Sequence, residues 1–151
     1  MLELVEGNLL EAETDALVNT VNTEGVMGKG IALQFKTKFP EMYLAYRSAC
    51  QNGEVQPGRM HVFQLGEGSQ PRLIINFPTK REWRSPSRME DIESGLNALA
   101  QEIRIRAIRS IALPALGCGN GGLGWSEVYP RIRDVLGTLD NVRVLVFPPK
   151  L

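Results

Sequence analysis

The strongest constraint on the fold is an alternation of two hydrophobic periods along the chain. Short runs rich in β-branched residues read as strands over Leu2–Glu6, Ala16–Val21, Met60–Leu65, Leu73–Phe77, Ser110–Pro114 and Val142–Phe147. Helical stretches lie among them, at Ile31–Phe39, Pro40–Gln51, Met89–Ala107 and about Ser126–Leu139. Pro40 suits a first helical position, where a missing N–H costs no intrahelical bond. Ser87 and Glu90 have the S-x-x-E spacing of a capping box ahead of the third helix. Within that helix Ile92, Leu96, Leu99, Ile103 and Ala107 share one face. Strands alternating with helices predict an α/β protein: three α/β/α layers around a central mixed sheet of about six strands. Ligands of such sheets bind in the loops beyond the carboxyl ends of the strands.

Composition removes several function classes. The chain has 151 residues, enough for one domain with a real core, so residues 1–151 are expected to form a single unit. Lys plus Arg and Asp plus Glu both number 17, so no broad basic face coats duplex nucleic acid, although a local basic strip is compatible with neutrality. A single His and two Cys cannot build a two-His metal site or a structural zinc site, so no metal is expected. Two Cys are no disulfide framework either, which predicts a reducing cytoplasm. The N-terminal MLELVEGNLL lacks the basic start of a signal peptide, and no apolar run approaches the roughly 18 residues that span a bilayer. A membrane role is therefore not expected, and the chain is expected to be a monomer.

Eight of the 15 glycines fall in two loops. Gly25, Gly28 and Gly30 follow the second strand; Gly117, Gly119, Gly121, Gly122 and Gly124 follow the strand that ends at Pro114. Each loop leads directly into a helix. Glycine lets the backbone come close to a ligand, and successive N–H groups at a helix start can converge on phosphate oxygens. Two such loops on one sheet edge could grip a pyrophosphate from both sides. No G-x-x-x-x-G-K-[ST] is present, which excludes a P-loop. Gly117–Gly122 matches G-x-G-x-x-G, but Asp140 precedes the next strand instead of ending it, and the match lies late in the chain, against a dinucleotide-binding fold.

In order, Gly7–Leu9 (GNL), Thr14–Asn22 (TDALVNTVN), Met27–Ala32 (MGKGIA), Asn76–Lys80 (NFPTK) and Leu113–Leu123 (LPALGCGNGGL) resemble the macrodomain family of ADP-ribose-binding α/β/α modules. MGKGIA and NFPTK are most similar to its glycohydrolase branch, and within that to antitoxin macrodomains that remove ADP-ribose from thymine bases of single-stranded DNA. The resemblance implies roles. Asn8 and Leu9 would meet adenine, Phe147 would flank it, and Asn22, with Asn19 nearby, would contact the distal ribose. Gly28, Lys29, Gly30 and Ile31 would form one phosphate loop, and Ala115, Gly117, Cys118, Gly119, Asn120 and Gly121 the other. ADP-ribose would be ligand and product, no cofactor would be needed, and a cognate DNA ADP-ribosyltransferase toxin would be a partner. Such antitoxins carry a second, toxin-binding domain, so the chain is expected to be an excised macrodomain. Two positions depart from the family: Asn8 stands where an Asp is usual, and Gly121 where the protein-directed relative has a catalytic Asp. The second departure shifts the expected substrate from modified protein toward modified DNA. A protein-glutamate ADP-ribosyl hydrolase or O-acetyl-ADP-ribose deacetylase, and a non-catalytic ADP-ribose reader, are the alternatives.

The lysine of NFPTK, Lys80, is the expected catalytic residue, with Asn22 beside it. N-glycosidic cleavage develops positive charge on the ribose and needs a proton on the leaving base. Lys80 could supply that proton as general acid. It could instead attack the anomeric carbon as free amine, if Arg81 or burial lowers its pKa. Asn22 could equally stabilise a turn with its side chain. Cys118 needs no role beyond a small residue in a tight loop, and His61, alternating with Met60 and Val62, reads as structural. Arg81, Trp83, Arg84 and Arg88 follow Lys80. Such a charge run is either a solvated face or, with one aromatic for stacking, a contact strip for a short single strand.

Overall fold

The computed structural model describes residues 1–150. Six strands form one sheet: β1 (Leu2–Leu4), β2 (Ala16–Val21), β3 (His61–Gln64), β4 (Leu73–Pro78), β5 (Ser110–Pro114) and β6 (Arg143–Phe147). Their order is β1-β6-β5-β2-β4-β3, all parallel except β3, which runs antiparallel beside β4. The sheet is therefore mixed and six-stranded, as the alternation of periods predicts. Four helices cover it: α1 (Gly30–Lys38), α2 (Pro40–Gln51), α3 (Met89–Ile105) and α4 (Trp125–Leu136). A short 3-10 turn, Leu9–Glu11, follows β1.

Two cores lie on opposite faces of the sheet. Val18, Ile75, Phe77, Ile111, Leu113 and Val144 pack with Ile92, Leu96 and Leu99 of α3 and Val128 and Ile132 of α4. The alternate residues Leu17, Ile74, Ala112 and Leu145 pack with Phe35 of α1 and Met42 and Tyr46 of α2. β2, β4 and β5 are nearly uniformly apolar because both their faces are covered. Each fully buried Leu or Ile stabilises the fold by about 1.5–3 kcal/mol relative to exposure. Gly95 brings α3 against β4, since a Cβ there would overlap the Phe77 ring. That close approach fixes the end of β4, from which Lys80 emerges.

Several sequence-derived boundaries move. β1 stops at Leu4, although the Val5 N–H still donates to the Val146 carbonyl at 2.9 Å. β3 and β6 start one residue late, at His61 and Arg143. α3 ends at Ile105, not Ala107, because Ala107 takes a left-handed φ of 51° and the Ile108 N–H closes back on the Ile103 carbonyl at 3.0 Å. α4 ends at Leu136 before Gly137. The capping box is not formed: Arg88 is the N-cap, no side chain caps the helix, and the buried Ser87 hydroxyl has no hydrogen-bond partner.

The apolar α1/α2 side is crossed by one row of polar side chains. Asn19, Asn76 and His61 are direct cross-strand neighbours on β2, β4 and β3. Asn19 donates through Nδ2 to Asn76 Oδ1 at 3.1 Å, and Asn76 Nδ2 lies 3.1 Å from His61 Nδ1. With Asn76 donating, His61 Nδ1 accepts and its proton sits on Nε2. Burial lowers the His61 pKa against the opposing pull of Glu54, so the ring is neutral and structural.

Candidate active site

The carboxyl ends of the five parallel strands share one edge, and the candidate residues gather there. Parallel pairing of Val21 with Pro78 sets the loop after β2 beside the loop after β4. The Thr79 and Lys80 N–H groups donate to the Val21 carbonyl at 2.9 and 3.4 Å. The Arg81 carbonyl accepts from the Thr23 N–H at 3.2 Å and from its hydroxyl at 2.5 Å.

The first glycine loop is built around Asn22. Its Oδ1 accepts from the N–H groups of Glu24, Gly25 and Val26 at 3.0, 3.2 and 3.3 Å, and its Nδ2 donates to the Val26 carbonyl at 2.9 Å. The buried Tyr46 hydroxyl reaches the Asn22 carbonyl at 2.7 Å and its Oδ1 at 2.9 Å. Asn22 is thus the organiser of its own turn, and only one amide N–H is left to offer a ribose. The expected contact role is corrected to that extent. Asn19 is corrected fully: it is completely buried, pairs with Asn76 and lies against Met27, so it supports the loop from below. The loop ends at Gly30, whose φ of 57° opens α1, and α1 has no side-chain cap at Lys29. The first N–H groups of that helix are therefore available to an anion.

The second loop closes on itself. Leu123 N–H donates to the Gly117 carbonyl at 2.9 Å and Cys118 N–H to the Ala115 carbonyl at 3.1 Å. Gly117 has a φ of 73° that a side chain would strain. The two loops meet, since a Cβ on Gly30 would stand 3.5 Å from Asn120 Nδ2. Cys118 Sγ–H points to the Leu116 carbonyl at 3.6 Å, and burial pushes its pKa up, so it is a neutral thiol. Gly121 is walled in: a Cβ there would collide with Ser87 Oγ and the Gly117 carbonyl oxygen, while the Ser87 N–H donates to the Gly121 carbonyl at 2.9 Å. Ser87, not read as a site residue from the sequence, thereby ties the Lys80 loop to the second glycine loop. No carboxylate fits at position 121 in this arrangement.

Lys80 is half-buried, and its Nζ donates to the Trp83 carbonyl at 3.3 Å. Its pKa falls below the usual lysine value, first through burial and then through repulsion by Lys29. Of the two causes expected, burial acts and Arg81 does not; the Arg81 guanidinium turns to the buried Asp91, at 3.3 Å from Nε and 3.2 Å from Nη2. Arg81 is accordingly corrected from a nucleic-acid contact to the anchor of its loop on α3. Trp83 is 37% exposed, with the Arg84 guanidinium 4.5 Å from its ring centroid, and Arg88 is exposed. These three remain able to meet a strand leading away from Lys80.

At the far side of the edge, Asn8 Oδ1 accepts from the Leu10 N–H at 3.0 Å, so it caps the 3-10 turn. Its expected acceptor role toward adenine is reduced to one remaining lone pair. The Leu9 side chain is buried, leaving its backbone as the part able to meet a ligand. Phe147 and Ala115 are half-buried at the ends of β6 and β5. Two other recesses, one lined by Arg72 and Arg106 and one by Phe39 and Leu65, contain none of the glycine-loop residues. Among the described residues no cluster of three His, Cys, Asp or Glu could hold a metal, and no helix is long and apolar enough to cross a membrane.

Comparison with known proteins identifies the chain's relatives. The chain is 58% identical over 149 residues, 99% of its length, to a DNA ADP-ribosyl glycohydrolase of Thermus aquaticus, covering 41% of that protein. It is 36% identical over 98% of its length to a DNA ADP-ribosyl transferase-DNA ADP-ribosyl glycohydrolase fusion protein of Thermosipho africanus, covering 42% of it. The chain thus spans about two fifths of the length of the curated relatives it matches. The solved macrodomain of Thermus aquaticus DarG superposes with a TM-score of 0.96, at 58% identity over 99% of both chains. Thermosipho africanus DarTG in complex with ADP-ribose superposes at 0.90, with 37% identity over 98% of this chain and 41% of that one. A family model, the Macro domain, matches residues 18–132. With its paired glycine loops at the carboxyl edge of a mixed six-stranded sheet, the chain belongs to the Macro domain family.

Proposed function

We propose that this chain is a DNA ADP-ribosyl glycohydrolase domain, which hydrolyses the N-glycosidic bond between ADP-ribose and a thymine base of single-stranded DNA. The two glycine loops and the start of α1 would hold the pyrophosphate, and Asn22 would give its one uncommitted N–H to the distal ribose. Lys80 would act on the bond to the base. As general acid it protonates the departing base nitrogen while water takes the anomeric carbon. As nucleophile its amine bonds to the anomeric carbon, the base leaves with the bonding pair and takes a proton, and water then releases ADP-ribose from the lysine. Trp83, Arg84 and Arg88 would hold the neighbouring nucleotides.

The observation that carries the reading is Lys80 itself: a half-buried lysine with a depressed pKa, on a rigid strand end, beside a glycine loop that admits no carboxylate at position 121. That arrangement disfavours hydrolysis of ADP-ribosyl-glutamate through a carboxylate in this loop. A DNA ADP-ribosyltransferase would generate the substrate; the Thermosipho africanus relative carries both activities in its name. The reaction would take place in the cytoplasm, where the DNA is. It uses ADP-ribose as ligand and product and calls for no cofactor.

The test is incubation with a thymine-ADP-ribosylated oligonucleotide, wild type against Lys80→Ala, following release of ADP-ribose. Lys80→Ala is expected to lose hydrolysis and keep calorimetric binding of ADP-ribose. Full turnover by that variant refutes the assignment. Parallel arms with glutamate-modified protein and O-acetyl-ADP-ribose expose the alternative enzymes, and binding without release from any substrate would identify a reader.

A further inference from the structure

Lys80 is not the only lysine at its end of the sheet. Lys29, the last residue before α1, comes in from the loop after β2, and its Nζ stands over the Trp83 indole, 6.0 Å from the ring centroid. Lys80 Nζ donates to the backbone carbonyl of the same Trp83. One residue therefore gathers two ammonium groups that are 51 positions apart in the chain, brought together by the pairing of Val21 with Pro78.

The surrounding charge does little to separate them. Arg84 lies on Trp83, and the Arg81 guanidinium is engaged with Asp91 of α3. Glu82 on the Lys80 loop, Glu90 at the start of α3 and Glu24 on the first glycine loop are all exposed. None forms an ion pair with Lys29 or Lys80. Asn120 and Cys118 on the second glycine loop bring no charge. An ammonium with a like neighbour and no anion gives up its proton more readily.

We propose that Lys29 is a positioning residue for the chemistry that acts through Lys80: held on the Trp83 face, its charge eases the release of the Lys80 proton. Both roles open to Lys80 depend on that release, to the leaving base or to solvent before attack. Lys29 thereby does more than serve the phosphate loop it borders. The depressed Lys80 pKa agrees, with Lys29 its second cause after burial. The inference rests on the glycohydrolase reading for its role in turnover, but the action of Lys29 on Lys80 is measurable without any substrate.

The experiment titrates the Lys80 side chain by NMR of carbon-13-labelled lysine in wild type, Lys29→Gln and Lys29→Arg, with Lys80→Arg to assign the signal. Lys29 is exposed, so neither substitution threatens folding. Lys29→Gln is expected to move the Lys80 midpoint up by about half a unit to one unit, and Lys29→Arg to restore it. The same displacement is expected in the pH–rate limb that belongs to Lys80 on modified oligonucleotide. An unchanged Lys80 midpoint in Lys29→Gln overturns the inference whatever hydrolysis does. So does a variant in which KM rises while the limb stays in place, the mark of a phosphate contact alone. A displaced midpoint with no hydrolysis of modified DNA by wild type supports the action of Lys29 and overturns the glycohydrolase reading instead.

Discussion

Gly121→Ala is a one-carbon change with a calculable consequence. The new Cβ would meet three atoms: Ser87 Oγ, the Gly117 carbonyl oxygen and, at 2.9 Å, the Gly117 carbonyl carbon. The first is the tip of a side chain and could turn aside. The other two are backbone of the same tight loop, held by the Leu123 N–H on the Gly117 carbonyl. Relief therefore requires the loop to move, and overpacking of this kind costs about 1–3 kcal/mol. At about 2–4 °C per kcal/mol for a domain of this size, Tm falls by roughly 2–12 °C. Ser87→Ala on its own removes a buried hydroxyl that bonds to nothing, so it is expected to be neutral or mildly stabilising. The double variant recovers only part of the loss, because the Gly117 contacts persist. Gly121→Asp is expected to be worse than Gly121→Ala and to gain no activity on glutamate-linked ADP-ribose. Thermal unfolding at fixed pH and calorimetric titration with ADP-ribose measure both effects. A Gly121→Ala protein that melts within about 1 °C of wild type and binds ADP-ribose equally, or an active Gly121→Asp, would refute the reasoning.

Two further outcomes follow from the buried polar groups. Tyr46→Phe removes the hydroxyl that reaches the Asn22 carbonyl and Oδ1; a loss of about 1–2 kcal/mol and weaker ADP-ribose binding are expected, from unfolding curves and calorimetry. His61 has a folded pKa below its ordinary 6.5, so the unfolded chain binds the proton more tightly. Stability is accordingly full above about pH 6.5, falls as pH drops below it, and levels off past the folded pKa. Denaturant melts of wild type against His61→Gln between pH 7 and 5 should show a slope only in wild type beyond the carboxylate background; parallel slopes would remove His61 as its source.

The fold was legible because its signals are local. β2, β4 and β5 are apolar runs too short to be helices, and the glycines that open φ > 0 at Gly30 and Gly117 sit where a strand hands over to a helix. Element ends were less so, because a left-handed Ala107 carries no compositional mark. The capping box failed because α3 starts one residue later, from Arg88, and the Ser87 N–H that Glu90 would have capped goes to the carbonyl of Gly121, more than thirty residues away. Lys80 was singled out by the motif it sits in, and burial, one of the two causes read for a lowered pKa, is the larger; the other, Arg81 by sequence adjacency, gives way to Lys29, which parallel strand pairing brings across. The turn role of Asn22 was legible, and the structure gives most of its side chain to that turn.

The row of Asn19, Asn76 and His61 has a bearing on alignment. Apart from these amides, β2 and β4 are almost wholly apolar and have little in their side chains to choose between neighbouring registers. A slip of one residue would turn Asn76 to the opposite face and strand amides in hydrocarbon on both strands, at about 1–3 kcal/mol for each group left unpaired. It would also carry the end of β4 along by about 3.3 Å. That is enough to take Lys80 away from the Val21 carbonyl that anchors its N–H and from the lysine across the indole. Asn19, Asn76 and His61 thus act as the vernier of the sheet, setting to within a residue where Lys80 stands.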